Sequence, residues 1–337
     1  MRILIFPSIA AVLTGIAVFL WGGLAALMLL AFLVILETTL SFDNAVVNAK
    51  VLARMDERWQ RRFLTWGILV AVFGTRLVLP VLIVAAAAAL SPFAVIKLAF
   101  FDPVHYGEYL HGAHVSIAAF GSAFLLLVSL KYFFDDRKKV HWIAVIERML
   151  SRWGGIEAIE IALVLSILLG AAFLEPAQAA AILVAGLLGV ILFIIIQGIA
   201  QSFEAGATEV VGVSAKAGAA LFVYLNVLDS AFSLDGVVAA FAISSSVPII
   251  VGGLGVGALF VRAFTVMLVR AKTLETLRYL EHGAHYAILG LAIAMLVGIF
   301  VEVPEAITGL VGIVFIGFAY LSSRREFLKS KGAHVTI

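Results

Sequence analysis

The chain has no cysteine among its 337 residues, which excludes a disulfide framework and any thiolate metal site. A metal bound here must take oxygen and nitrogen ligands, a set that suits Mg, Ca or Mn. Charge is scarce as well. Asp, Glu, Lys and Arg make up 13% of the residues, about half the share of a soluble domain. Hydrophobic residues make up 64% and the mean hydropathy is +1.15, so a soluble globular fold is excluded. No Gly-rich phosphate loop points to ATP-driven pumping, and the basic clusters carry no nucleic-acid module. The net charge of +2 says little about partners, because most basic residues sit in short loops and report orientation instead.

Apolar runs long enough to cross about 30 Å of hydrocarbon fall at 3–21, 24–52, 63–89, 115–133, 155–174, 177–200, 217–246, 249–269, 284–301 and 304–321. The expected fold is all-α, a polytopic membrane protein of about ten transmembrane helices. Arg2 and the apolar run after it resemble a signal peptide but lack a clear small-residue cleavage site, so the segment is read as a helix. Residues 90–114 read as a loop or a re-entrant piece. Arg54, Arg58, Arg61 and Arg62 follow span 2, and Lys131, Arg137, Lys138, Lys139, Arg148 and Arg152 follow span 4. Arg270, Lys272 and Arg278 follow span 8, and Arg324, Arg325, Lys329 and Lys331 follow span 10. Ten spans put all four clusters on one side, and the positive-inside rule makes that side, with both termini, the cytoplasmic face of an inner membrane.

Two acidic motifs interrupt the apolar runs. Glu37-Thr-Thr-Leu-Ser41-Phe-Asp43-Asn44 lies in span 2, and Asp229-Ser-Ala-Phe-Ser233-Leu-Asp235-Gly236 repeats its spacing in span 7. The likeness extends further. Gly67 and Arg76 match Gly253 and Arg262, and Tyr109-Leu-His111-Gly-Ala-His114 matches Tyr279-Leu-Glu281-His282-Gly-Ala-His285 with one residue inserted. Spans 2–4 therefore correspond to spans 7–9. An odd offset of five inverts one unit relative to the other, an arrangement common among secondary transporters. The expected units are 1–154, with spans 1–4 and a basic interfacial segment, and 155–337, with span 5 and the second repeat. Together they make two inverted five-helix repeats with broken helices at the midplane.

A carboxylate in hydrocarbon is costly without a partner or a wet cavity, so these acids are functional candidates by default. On a continuous helix Glu37, Ser41 and Asn44 form one stripe, with Asp229, Ser233 and Gly236 as its twin, while Asp43 and Asp235 point about 120° away. A local break at Asn44 and Gly236 would turn the acids together and release carbonyl oxygens as ligands. The expected metal ligands are Glu37, Ser41, Asp43, Asn44, Asn226, Asp229, Ser233 and Asp235. Arg76 and Arg262 are their charge partners, and a purely structural pairing of Asp43 and Asp235 with these arginines is compatible. Four ionised acids and two arginines leave −2, which a divalent cation cancels.

At these residues the chain resembles the TerC family of integral membrane proteins, in the superfamily of LysE exporters and Mn/Ca-exchanger-like proteins. The resemblance rests on Glu37-x-x-x-Ser41-x-Asp43-Asn44 and on Ser233-x-Asp235, and its span order covers most of residues 23–321. It implies manganese efflux or metal homeostasis, with the cation as cargo, no tightly bound cofactor, and a proton or Na as a reasonable coupling ion. The chain departs from the pattern at Gly236, which stands where the first copy has Asn44, and in its linkers at 90–114 and 134–154.

Three other functions compete with a cation exporter. A LysE-like exporter of an organic solute would favour backbone amides for a carboxylate, whereas this site is acidic. A membrane metalloenzyme needs the His pairs to converge with the acids, and the topology puts His111 and His114 outside but His282 and His285 inside. A non-transporting scaffold in metal or tellurium stress needs no acids at all. The expectation is a transporter and not an enzyme. Glu157 and Glu160 read as interfacial anchors, 201–216 as an ordinary loop, and 134–153 as an amphipathic stretch on the inner leaflet.

Overall fold

The computed structural model describes residues 2–333 apart from 54, 68–69, 71–73, 75–77, 79–80, 83, 86–89, 137, 139, 157, 206–217, 230–235, 238–239, 241–243, 245, 271–276 and 302. The described residues are helical, with no strand among them. Five runs are long and apolar enough to cross a bilayer: Ile3–Thr39, His114–Phe133, Pro176–Gly198, Val247–Arg270 and Leu280–Gly298. The protein is an all-α, membrane-embedded chain.

The first run, α1 (Arg2–Leu40), is not one rod. Gly23 has φ 70 and ψ −162, a backbone that glycine adopts without a Cβ penalty. Thr14 and Leu30 both touch the same residue, Gly252. A straight helix would hold them about 24 Å apart, so the chain reverses at Gly23 and the expected spans 3–21 and 24–52 are two arms. After Ser41 comes α2 (Phe42–Ala53), followed by α3 (Glu57–Arg62), capped by Asp56. The expected span 63–89 lies largely outside the described residues, beyond a π-helical turn at Phe63–Gly67.

Of the two readings of residues 90–114, loop or re-entrant piece, the loop does not hold. These residues form α4 (Pro92–Phe101) and α5 (Pro103–Gly112). Ser91 accepts from the N–H of Ala94 and Asp102 from that of His105, each just ahead of a proline. A polar cap followed by proline at the first helical position starts a helix, so the Ser-Pro and Asp-Pro pairs begin helices here.

The remaining helices are α6 (His114–Phe133), α7 (Ala144–Ser151), α8 (Ile159–Leu174), α9 (Ala179–Ala205), α10 (Gly218–Asp229), α11 (Val247–Arg270), α12 (Leu280–Gly298) and α13 (Glu305–Ala333). Apolar all round, α6 is buried almost continuously from Ile117 to Leu130 and packs against α8, α9 and α12. It runs antiparallel to α12. His114 at its start lies beside Gly298 at the end of α12, while Tyr132 at its end stacks on His285 near the start of α12. Aromatic contacts tie the two halves of the sequence together. Phe42 of α2 meets Phe264 of α11 edge-on at 5.7 Å, and Phe222 of α10 meets Phe63 at 6.3 Å.

Among the described residues the most extensive helix contact is between α1 and α11, and it runs through glycines. A Cβ at Gly253 would lie 2.5 Å from Leu33 Cβ, and one at Gly257 would lie 2.6 Å from Glu37 Cβ and Cγ. This small-x-x-x-small face lets two helix backbones approach where lipid supplies no hydrophobic drive. Gly257→Leu is expected to destabilise the protein by about 1–3 kcal/mol, the usual cost of overpacking, and to lower the Tm of the purified protein. Gly170→Ala meets no atom within 4 Å and should leave Tm unchanged or slightly raised. Equal melting of the two variants would show that α1 and α11 are not held by this contact.

Candidate functional site

Glu37, Ser41, Asn44 and Asn48 form a polar ladder on the arm of α1 that continues into α2. All four are buried, Glu37 to 1% exposure and Asn48 to 4%. Their spacing of four, three and four residues keeps them on one helix face, turned toward α11 and α12. The first three belong to the expected stripe. Asn48 was not singled out by the sequence reading, although its position eleven residues after Glu37, close to three full turns, was the available signal.

The expected opening of the helix does not occur here. Only Ser41 interrupts the helix, and its N–H still donates to the Glu37 carbonyl at 3.0 Å while its own carbonyl accepts from Ala45 at 3.3 Å. The physical reason is that Ser41 Oγ donates to Glu37 Oε1 at 2.9 Å. The hydroxyl that might have competed for the backbone is engaged by the acid, so both carbonyls stay in the helix. Ligands must therefore come from side chains in this copy. Asn48 Oδ1 is buried with no hydrogen-bond partner among the described residues, an arrangement that calls for a ligand or water.

The second copy meets the first at Gly236. A Cβ there would sit 3.2 Å from Glu37 Oε2, tighter than ordinary van der Waals contact. Glycine here leaves the Glu37 carboxylate space that a longer side chain would have to share. Asn226 is buried on α10, with Nδ2 donating to the Phe222 carbonyl at 2.7 Å, which directs its amide oxygen the other way. Asp229 ends the same helix, half-buried. The side chain of Asp43 and the whole of Ser233, Asp235 and Arg76 lie outside the described residues, and Arg262 is half-buried on α11. Among the described residues, no three His, Asp or Glu side chains are placed to hold a metal.

A second polar cluster occupies one end of the bundle, and the sequence reading did not find its centre. Glu147, on α7, is fully buried. His282 Nδ1 donates into its carboxylate at 3.0 and 3.1 Å, Lys138 Nζ lies at 3.0 Å and His141 Nδ1 at 3.5 Å. The N–H groups of Trp142 and Ile143 both donate to Oε1 at 3.2 Å. Burial alone would raise the carboxyl, but hydrogen bonds and charge from His282 and Lys138 overcome it and bring the group down to about 2. Lys138 also lies 3.8 Å over the Tyr132 ring, and its ammonium is pulled below the usual range chiefly by burial.

The two His-Gly-Ala-His motifs thus end in different surroundings, at opposite ends of the antiparallel α6–α12 pair. His111 is exposed, whereas His282 holds Glu147, and His285 donates to the Glu281 carbonyl at 2.9 Å while stacked on Tyr132. The four cannot form one metal site. The residue inserted in the second copy, Glu281, pairs with Lys50 at the end of α2 and links the two units. Lys131 pairs with Glu160 at 2.9 Å, and Arg278 with Glu326 at 3.1 Å. The segments that follow spans 2, 4 and 8 therefore gather with α13 at one end. Glu160 is buried in its pairing with Lys131; Glu157 and most of 201–216 lie outside the described residues.

Removing one partner of a buried ion pair typically costs about 3–5 kcal/mol, so Glu147→Gln should lower Tm well beyond any exposed substitution. Because the folded carboxyl lies below its unfolded value, its contribution is complete above about pH 4.5 and fades as pH falls toward 2. The Tm difference between parent and Glu147→Gln should shrink over that window. A difference that grows there would contradict the clamp.

Searches among curated proteins and among solved structures gave no match. Residues 42–329 do match one family, a span that takes in Asp43, Asn44, Asn48, the Glu147 cluster and the whole second copy, and begins just after Glu37 and Ser41. The match covers most of the chain, which therefore belongs to the family described as protein of unknown function (DUF475).

Proposed function

We propose that this protein is a secondary transporter that exports divalent metal cations, manganese first among them, through a midplane site built from both acidic motifs. One observation carries the reading: a buried ladder of Glu37, Ser41, Asn44 and Asn48 inside a membrane-embedded bundle, with Glu37 held against Gly236 of the second motif. Carboxylate and amide oxygens on a hydrocarbon-buried face are a hard-cation ligand set, and buried acids in spans mark ion pathways. Asp43, Asp235, Asp229, Ser233 and Asn226 complete the donor set, with Arg76 and Arg262 balancing charge.

The inverted-repeat architecture with about ten spans belongs to the same proposal. The antiparallel α6–α12 pair, the reciprocal contacts Phe42–Phe264 and Phe63–Phe222, and the gathering of basic segments at one end all support it. So does the resemblance of the motifs to TerC-like proteins. The basic end is then cytoplasmic, and the Lys50–Glu281 and Glu147–His282 contacts close the path on that side. Alternating access would require them to part.

In a strain lacking its own Mn exporter, the parent should lower cellular Mn and restore Mn tolerance. Glu37→Gln, Asp43→Asn and Asp235→Asn, expressed at equal membrane levels, should lose both effects. With the purified protein, Mn at about 100 times its Kd should add about 2.7 kcal/mol of stability, seen as a higher Tm that Glu37→Gln diminishes. A parent that changes neither cellular Mn nor Tm would sink the manganese assignment, and Ca, Mg and organic solutes would follow in that order.

A further inference from the structure

The segment between α6 and α8 carries an unpartnered face whose chemistry is specific. Helix α7 and the 3-10 turn after it (Ala144–Gly155) meet α8 at 105°. Ala158 makes the corner in the left-handed region at φ 56, a conformation an alanine adopts only when its surroundings impose it. Since α8 packs alongside α6 and α9 in the bundle, the corner lays α7 close to the membrane plane. On one side of α7, Glu147 is clamped into the protein. On the opposite side Val145 is 84% exposed, and Met149 and Trp153 follow it at successive turns, all largely exposed. Arg148 and Arg152 border this apolar stripe and are also exposed.

We infer that α7 is a docking surface for anionic phospholipid: Val145, Met149 and Trp153 enter the acyl boundary while Arg148 and Arg152 take the headgroup phosphates. Apolar residues on one helix face bordered by arginines suit the interface of a charged leaflet, and each basic residue near such a surface attracts anionic lipid. Guanidinium groups match phosphate oxygens through paired N–H donors. Because Glu147 on the same helix accepts from His282, the first turn of α12 is tied to whatever lipid α7 holds. The inference concerns lipid, and it stands whether or not the cargo is a metal.

The absence of native cysteine makes the test direct. Full-length Val145→Cys, Met149→Cys and Glu57→Cys proteins, the last an 86% exposed side chain on α3, are spin-labelled in nanodiscs of zwitterionic lipid with and without phosphatidylglycerol. Labels at 145 and 149 should collide with oxygen in preference to a water-soluble nickel chelate, and the label at 57 should do the reverse. If 145 and 149 match 57, α7 does not enter the bilayer and the inference fails. A fluorophore at position 149 is then quenched by brominated phosphatidylglycerol diluted into zwitterionic lipid. At roughly fivefold enrichment per arginine, Arg148→Gln with Arg152→Gln should weaken the anionic preference by roughly 25-fold and leave quenching by brominated zwitterionic lipid unchanged. An unaltered preference would overturn the headgroup assignment. Both arginines are exposed, so the double variant should fold, and an unchanged Tm confirms that it has.

Discussion

The structure depends on one contact, the seating of the Glu37 arm of α1 against the glycines of α11. A carboxylate placed among hydrocarbon costs several kcal/mol unless its surroundings compensate. Here Ser41 supplies a hydrogen bond, and Gly257 supplies the space for the Glu37 side chain to lie flat against a neighbouring backbone. The same closeness brings Gly236 to the carboxylate, so one packing decision fixes both the α1–α11 interface and the meeting of the two motifs. Gly236, which stands where the first motif has Asn44, leaves the carboxylate its space.

At the two ends of the α6–α12 pair, two related sequences have been put to different uses. The His-Gly-Ala-His motif starting at His111 leaves that histidine at the surface, while its counterpart is built into a buried network with Glu147, Tyr132 and Lys138. The extra residue of the second copy, Glu281, reaches Lys50 at the end of the helix that carries the polar ladder. The segment between α6 and α8 is thus held by charge on one side and presents apolar surface on the other. A burial-disfavoured carboxylate persists there because five donors or cations converge on it. Removing any one weakens the reason for the rest to be buried.

Much of this was legible from residue spacing. The stripe of Glu37, Ser41 and Asn44 follows from 3.6 residues per turn, and the paired glycines at 22 and 23 mark the reversal between the first two arms. The likeness of spans 4 and 9, five spans apart, is what makes opposed directions of α6 and α12 an expectation. Other features were hidden because they depend on partners distant in sequence. Asn48 carries no mark in the sequence beyond its spacing from Glu37, and only burial shows that its oxygen lacks a partner among the described residues. Glu147 lies in a basic, amphipathic stretch, and only the return of α12 brings His282 to it. The helices at 92–112 start at Ser91-Pro and Asp102-Pro, where a polar cap precedes proline, a signal the reading of 90–114 as a loop or re-entrant piece did not use.

The sequence by itself determined that the chain is helical and membrane-embedded, that its acids recur at one spacing in two motifs, and that thiolate chemistry is absent. Composition and periodicity suffice for those, since they are properties of single segments in hydrocarbon. The tertiary structure decided that the helix stays wound at Ser41, that a glycine of the second motif faces Glu37, and that Glu147 is a buried centre. Each of these is set by the distance between segments far apart in the chain, which no local pattern encodes.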